Sequence, residues 1–417
     1  MRNFRVRAAV SPLRRRLVDQ AQVALEAVVL PTVDALIAAE RPEEPVHCVR
    51  PATLAATARN FVSAFPGDVL YAVKCNPDPA VLRALYSGDV RHFDCASIAE
   101  VSLVHTMFPD AAIHFMHPVK ARGAIRDAWA RYGVRDFVFD SKAELGKILA
   151  CTTEHGTEDG LGLVVRLALP KGGAVLDLSG KFGAEAGDAV SLLRAARPHA
   201  ARLGIAFHVG SQCLHPEAWQ RALASVAEVV ASAGVAIDVV DVGGGFPVAY
   251  PDMEPPALAA FFAAIKHGFD RLGLPGARLW AEPGRALVAS GGSVVVQVQA
   301  RRGNMLYVND GVYGSLADAG TLGFRYPVRC IRPDSAASVS LRAFGFFGPT
   351  CDSADVMRGP FLLPGDIAEG DWIEIGQLGA YGASLRTGFN GFDRARIAEV
   401  ADQPLALVAS DVHAYAA

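Results

Sequence analysis

The stretch Val69-Leu-Tyr-Ala-Val-Lys74-Cys-Asn76-Pro-Asp-Pro79 passes from five apolar residues through a lysine into a proline turn. A short apolar run that stops at a Pro/Asp break predicts a buried strand, and Pro79 to Leu85 predicts the helix that follows it. Strand, turn and helix in that order make one βα unit, and the chain repeats the pattern. Ala112-Ile-His-Phe-Met116, Asp136-Phe-Val-Phe139, Leu163-Val-Val-Arg-Leu167, Ile205-Ala-Phe-His-Val209, Val235 to Val240 and Ala277-Arg-Leu-Trp280 read as further strands. Ser141 to Leu149 and Pro216 to Ala233 read as helices between them. This alternation predicts an α/β fold, a (β/α)8 TIM-like barrel, whose reactive groups gather at the carboxyl ends of its strands. After Arg285 the texture changes to alternating strands and turns, as in Gly292-Ser-Val-Val-Val-Gln-Val-Gln299, Asp371-Trp-Ile-Glu-Ile375 and Leu405-Ala-Leu-Val408. A C-terminal all-β domain is expected there. The expected organisation is an N-terminal helical segment over 1–43 packed on the β domain, a barrel over 44–285 and the β domain over 286–417.

Lys74 stands at the carboxyl tip of its strand. Most lysines are solvated, but one set in a partly apolar pocket loses hydration, which lowers its pKa and frees its amine to form an imine with an aldehyde. Four other segments supply what a lysine-bound pyridoxal phosphate needs. Gly243-Gly244-Gly245, after the run ending at Val240, exposes backbone N–H groups suited to a phosphate; alone, it is equally a tight turn. Glu282-Pro-Gly-Arg285 offers a planar guanidinium fork for phosphate oxygens and a carboxylate for a protonated pyridine nitrogen. At ~4 Å and an effective dielectric of ~20 such a charge pair is worth about 4 kcal/mol before desolvation. His208, in Phe207-His-Val-Gly-Ser211-Gln212, can lie against an aromatic ring with Ser211 near the phosphate, although a strand-end histidine is more often structural. In Gly348-Pro-Thr-Cys351-Asp352-Ser-Ala-Asp355, a thiol beside carboxylates can donate a proton, and Asp352 can hold an amine; its ordinary reading is a Pro/Gly loop.

Taken in chain order, YAVKCN (71–76), FDCAS (93–97), KFG (181–183), HVGSQ (208–212), GGGFP (243–247), EPGR (282–285), VNDGVYGS (308–315), GPTCDSAD (348–355), GAY (379–381) and FNGF (389–392) form a specific set. The set resembles the fold-type III pyridoxal-phosphate decarboxylases, the family of ornithine and diaminopimelate decarboxylases, from about Glu44 to about Arg396. The GGGFP, GPTCDSAD and FNGF forms resemble the ornithine/lysine branch. The resemblance implies that Lys74 carries the cofactor and that Asp94 lies near the imine. It further implies that Gly243, Gly244, Gly245, Arg285 and Tyr381 hold the phosphate, with His208 on the ring face and Glu282 at the pyridine nitrogen. Cys351 would reprotonate the α-carbon and Asp352 would bind the distal amine, both entering from the neighbouring subunit of a homodimer with shared sites. Tyr313 and Phe389 fall on the substrate side. The implied reaction converts L-ornithine or L-lysine to putrescine or cadaverine and CO2; a modified amino acid in a specialised pathway is the alternative within that class.

Two relatives are distinguished by residues. Alanine racemases share the barrel but set an arginine against the ring nitrogen, where this chain has Glu282. Antizyme inhibitors keep the fold without catalysis, whereas this chain retains Lys74, Glu282, Arg285, Cys351 and Asp352. One departure touches specificity. Ornithine enzymes place a carboxylate shortly before the segment that is here Arg325-Tyr-Pro-Val328, and this chain has Gly320-Thr-Leu-Gly-Phe324 instead. Either Asp318, slightly earlier, reads the distal amine, or the substrate lacks a simple terminal amine. His117 in Met116-His-Pro-Val-Lys120 is a second departure, at a position where relatives often carry asparagine.

Composition is that expected of an enzyme with a small-molecule substrate. With 417 residues, 51% of them hydrophobic, the chain can bury one large core and one smaller one. Forty basic against 43 acidic side chains leave a net charge of −3, which calls for neither nucleic acid nor a membrane surface. Seven cysteines without a Cys-x-x-Cys pair read as neither a disulfide framework nor a metal site, and a reducing cytoplasm is expected. The apolar stretch Val23 to Ala39 is interrupted by Glu26, Pro31 and Asp34, too broken for a signal core or a membrane span. Arg14-Arg15-Arg16 reads as the solvated face of a helix.

Overall fold

The computed structural model describes residues 29–30, 32–152, 160–170, 174–176, 180–320 and 322–405. Eight parallel strands close into a barrel: Asp68–Ala72, His92–Cys95, Ala112–Phe115, Asp136–Phe139, Gly162–Arg166, Arg202–Ala206, Val239–Asp241 and Arg278–Ala281. The last pairs with the first, Trp280 opposite Asp68 and Ala281 opposite Val69. The strand His92–Cys95 is not evident as an apolar run, because two of its four residues, His92 and Asp94, are polar and alternate with Phe93 and Cys95. The seventh strand starts at Val239, later than its apolar run, since the helix Glu217–Ala233 ends on Gly234 in the left-handed region (φ 64°) and the intervening residues make the return to the barrel.

Side-chain parity organises this barrel. Leu70, Val138, Val164, Ala206, Val239 and Trp280, taken from six different strands, form one buried cluster with Met116, which directly follows the third strand. Their sequence neighbours Tyr71, Phe137, Phe139, Leu163, Val165 and Val240 belong to the larger core shared with the helices. Successive side chains of a strand point to opposite faces, so the first set fills the barrel and the second packs outward. The helix Ile98–Met107 starts with a capping arrangement in which Ser97 Oγ accepts from Glu100 N (3.2 Å) and Glu100 Oε2 accepts from Ala96 N (2.7 Å).

The second domain is a nine-stranded mixed sheet centred on Gly292–Arg302. Its core brings together Val294, Val296, Leu306, Phe344, Phe346, Phe361 and Ile373, with Phe346 and Phe361 stacked at 4.2 Å. Residues Val46–Val49, within the span 44–285 read above as barrel, pair antiparallel with Gly292–Val295 and parallel with Arg396–Glu399. With Val29–Leu30, which pairs parallel with Glu399–Val400, the chain thus lays two strands of the second sheet before it enters the barrel. The helix Val33–Glu40 packs Val33, Leu36 and Ile37 against Val46, Val295 and Trp372 of that sheet. Arg14 to Arg16, the apolar stretch before Val29 and the tail beyond Leu405 lie outside the described residues.

Polar contacts lock the two domains together. Arg50, 2% exposed, donates to Glu374 (2.7 Å) and Ser293 (2.9 Å). Asn76 Nδ2 donates to the Gly379 carbonyl at 2.8 Å, and Tyr381 N donates to the Cys75 carbonyl at 2.9 Å. The turn that carries Lys74 is therefore fastened on both sides to the second domain. Among the described residues no helix is long and apolar enough to cross a membrane.

Candidate active site

Parity decides which side chains meet. Counting in twos from the interior residues Leu70, Val164, Ala206, Val239 and Trp280 reaches Lys74, Arg166, His208, Asp241 and Glu282, and Asp94 follows from its outward neighbours Phe93 and Cys95. All lie at or just beyond the carboxyl ends of their strands. Lys74 Nζ donates to Asp94 Oδ2 at 2.8 Å. The lysine keeps 43% of its side-chain surface accessible because it lines the pocket, while Asp94 is 1% exposed beneath it.

Lys74 departs from the sequence expectation of a lowered pKa. Burial does act to lower it, but the carboxylates of Asp94 and Glu282 outweigh that effect and hold the ammonium above the ordinary lysine range. Glu282 is itself pushed well up, by burial first and then by Asp241 and Asp94. Burial also pushes Asp241 up, to about 6. Two acids, Asp94 and Glu282, thus act on one ammonium, and Asp241 acts on Glu282 from behind them. His208 is driven down to about 3 by burial and by Arg166 and Lys74, so its ring is neutral at any working pH. Its Nδ1 accepts from Gly210 N at 3.0 Å, which puts the ring proton on Nε2.

Gly243 and Gly245 have positive φ, at 65° and 99°, and the turn they make runs against the His208–Ser211 segment. A Cβ on Gly244 would fall 2.5 Å from the Glu282 carbonyl and 3.3 Å from His208 Nε2; one on Gly245 would fall 2.3 Å from the Gly210 carbonyl. Only glycines permit this approach. Ser211 opens the short strand Ser211–Cys213 directly after Gly210. Arg285 is 4% exposed and lies 5.0 Å from the ring centre of Tyr381. Tyr381 itself adopts the left-handed region (φ 61°), an uncommon conformation for a bulky residue, fastened by its bond to Cys75.

Arg285 also changes the reading of Asp318. Its guanidinium donates to Asp318 Oδ2 at 2.8 Å and to the Tyr250 hydroxyl at 2.9 Å. Asp318 is therefore held by a buried arginine instead of being offered to a substrate amine, and residues 320 and 322–324 supply no other acid. Cys351, Asp352, Tyr313 and Phe389 gather elsewhere, on the rim of the second domain. The Tyr313 hydroxyl donates to Asp352 Oδ2 at 2.5 Å, the Tyr313 and Phe389 rings are 4.9 Å apart, and Cys351 N donates to Asn390 Oδ1 at 3.1 Å. Cys351 is exposed and borders a surface cleft of about 540 Å³ with Arg302, Tyr307 and Phe347. Among the described residues, no hydrogen bond, ion pair or ring contact joins this group to Lys74. His117 packs on Phe182 at 5.2 Å, ring edge to face.

Sequence reading passed over three groups. Arg166, Asp241 and Tyr250 were not singled out, although strand parity places the first two inside the barrel. Tyr250 has no such signal.

With this geometry in hand, comparison with known proteins is specific. The family described as "Pyridoxal-dependent decarboxylase, pyridoxal binding domain" matches residues 52–289. The chain belongs to the pyridoxal-dependent decarboxylase family. It is 34% identical over 349 residues to the lysine/ornithine decarboxylase of Selenomonas ruminantium, covering 81% of this chain and 84% of that one. In structure it is similar to the arginine decarboxylase of Paramecium bursaria Chlorella virus bound to agmatine (TM-score 0.77, 27% identity, 88% of this chain and 99% of that one). It is similar also to the lysine/ornithine decarboxylase of Vibrio vulnificus complexed with putrescine (TM-score 0.75, 31% identity, 89% and 99%).

The decarboxylase's own residues fit pyridoxal phosphate. Asp94 Oδ1, Asp241 Oδ2 and Arg285 Nε are buried polar atoms without a hydrogen-bond partner. Asp94 stands against Lys74 and Asp241 beside Glu282, where a cationic ring and its attached nitrogen would be favoured. The arginine stands by Tyr381, where an anion would be.

Proposed function

We propose that this family member decarboxylates a diamino acid, L-ornithine or L-lysine, releasing CO2 and putrescine or cadaverine. The observation that carries the reading is the set of inward-facing residues at the barrel's carboxyl end, with Lys74 bonded to Asp94 and Glu282 close by. Pyridoxal phosphate supplies an aldehyde that condenses with amines and a protonated ring that accepts the electron pair left by a departing carboxylate. Lys74 would hold the aldehyde end, and Asp94 would accept a hydrogen bond from the nitrogen and balance its charge. Glu282 would face the pyridine nitrogen and His208 the ring. The backbone of Gly243, Gly244 and Gly245, with Ser211, Arg285 and Tyr381, would bind the phosphate.

The second group completes the chemistry in this reading. Cys351 Sγ would deliver a proton to the α-carbon after CO2 leaves, and Asp352, oriented by Tyr313 beside Phe389, would bind the distal ammonium. Their separation from Lys74 within one chain supports a homodimer in which each pocket takes Cys351 and Asp352 from the partner. Phe389 and Phe392, 42% and 45% exposed near Cys351, are apolar surface suited to that contact. All seven cysteines are free, which suits a reducing cytoplasm.

Purified protein incubated with ornithine, lysine, arginine and diaminopimelate, with CO2 as the readout, tests the substrate. Ornithine or lysine should lead. Preference for arginine or diaminopimelate, or no turnover of any of the four, would overturn the assignment. Asp318 has a separate test. Asp318→Asn removes a charge from a buried pair, which costs several kcal/mol when one partner is left behind. Equilibrium binding of pyridoxal phosphate should weaken at least about tenfold, with the ornithine-to-lysine preference unchanged. A changed preference at unchanged cofactor affinity would return Asp318 to the substrate.

A further inference from the structure

Asp241 is the last residue of the seventh barrel strand and pairs with Trp280 of the eighth, two residues before Glu282. The backbone fixes both positions: Val242 N donates to the Trp280 carbonyl (2.9 Å), and Glu282 N donates to the Gly243 carbonyl (2.8 Å). Asp241 is 0% exposed. Its Oδ1 accepts from Gly243 N at 2.8 Å, whereas Oδ2 has no fixed donor. The carboxyl of Glu282 stands within hydrogen-bonding reach of Asp241. Two carboxylates at that range repel unless a proton lies between them, and a buried acceptor without a donor is costly.

We infer that Asp241 is a positioning residue for Glu282: the two carboxyls share one proton across neighbouring strand ends, and this bond turns the other oxygen of Glu282 into the pocket. Through Gly243 N, the same Asp241 side chain also fixes the start of the glycine turn. One residue thus ties the orientation of the acid at one end of the cofactor pocket to the backbone expected to hold the phosphate at the other. The charged groups around the pair are Asp94, Lys74 and Arg166, with His114 facing Asp241 from the third strand. Asp94 disfavours loss of the shared proton, while Lys74 and Arg166 favour it. The inference rests on the pyridoxal-phosphate reading of the pocket, but the proton belongs to the protein alone.

Infrared spectroscopy of the full-length apoprotein tests it, since a protonated carboxyl has a carbonyl stretch that a carboxylate lacks. Glu100 also carries a raised pKa, pushed up to about 7 by burial, so spectra are taken in a Glu100→Gln background. At neutral pH a protonated-carboxyl band should be present and should disappear in one single-proton step as pH rises. Glu282→Gln should abolish it. Asp241→Asn keeps the acceptor for Gly243 N–H but removes the neighbouring charge, so the step should move to lower pH by about one unit or more. A neutral-pH spectrum without the band, or a step unmoved in Asp241→Asn, would overturn the inference. If Asp241→Asn does not fold, the position of the wild-type band decides: a proton held between two carboxyls lowers the carbonyl stretch, whereas the unshifted band of an isolated protonated Glu282 would overturn the inference. A protein that keeps the shared proton yet binds no pyridoxal phosphate would refute the cofactor assignment of the pocket and leave the proton sharing standing.

Discussion

Lys74→Ala abolishes CO2 release and removes the visible absorbance of bound pyridoxal phosphate, while the far-ultraviolet circular dichroism stays that of the native fold. The loss should be at least about 10³-fold, some 4 kcal/mol of barrier, because no other amine stands at the end of the first barrel strand to take its place. Stability should fall as well, because the 1%-exposed Asp94 carboxylate loses the ammonium it is bonded to, although the barrel interior stays filled. Turnover that survives the substitution, at any rate near wild type, removes Lys74 from the mechanism. Retained absorbance with lost turnover would mean the cofactor is held without the lysine.

The second large effect concerns Cys351. Cys351→Ala leaves the barrel pocket untouched, so pyridoxal phosphate should still bind and CO2 should still leave, slowly. Without the thiol the proton would be delivered at the wrong carbon, and water would release an amino aldehyde in place of the diamine, the substrate's α-amino group and the electron pair staying with the cofactor. Unchanged product ratios would strip Cys351 of that role. Mixing the two variants tests the subunit arrangement. In a dimer with shared sites, a mixed pair of Lys74→Ala and Cys351→Ala chains has one pocket built from two intact halves. If the chains reassort freely, half the dimers are mixed and one of their two sites works, so about a quarter of wild-type activity should return. No recovery after demonstrated exchange would mean that each chain supplies its own Cys351.

Much of the barrel was legible because a βα repeat leaves local marks. Apolar runs of four to five residues, a Pro or Gly at their ends and the change of texture after Arg285 all appear in the chain itself. The site was legible for the same reason. The period of two places Asp241 inward within its own strand, while Lys74, on the 3-10 turn Val73–Cys75, and His208 and Glu282, just past their strand ends, continue the same inward order. The strand His92–Cys95 escaped notice since its inward positions are occupied by His92 and Asp94, so the polarity that builds the site conceals the strand. Val46–Val49 escaped assignment to the second sheet because its partners, Gly292–Val295 and Arg396–Glu399, lie hundreds of residues away.

Sequence by itself determined the succession of elements, the inward register of the strand-end residues and the kind of chemistry they can support, because side-chain period and strand ends are local properties. Tertiary structure alone decided how those groups are charged and which of them are already engaged. Lys74 was expected to lose its proton to a dry pocket, but Asp94 at 2.8 Å and Glu282, brought in from distant strands, hold the proton on. Asp318 was expected to read a substrate, but folding set it on Arg285. Cys351 stands on the rim of the second domain, apart from Lys74. Pairing energies depend on distances between residues far apart in the chain, and those distances exist only after the barrel has closed and the second sheet has docked on it.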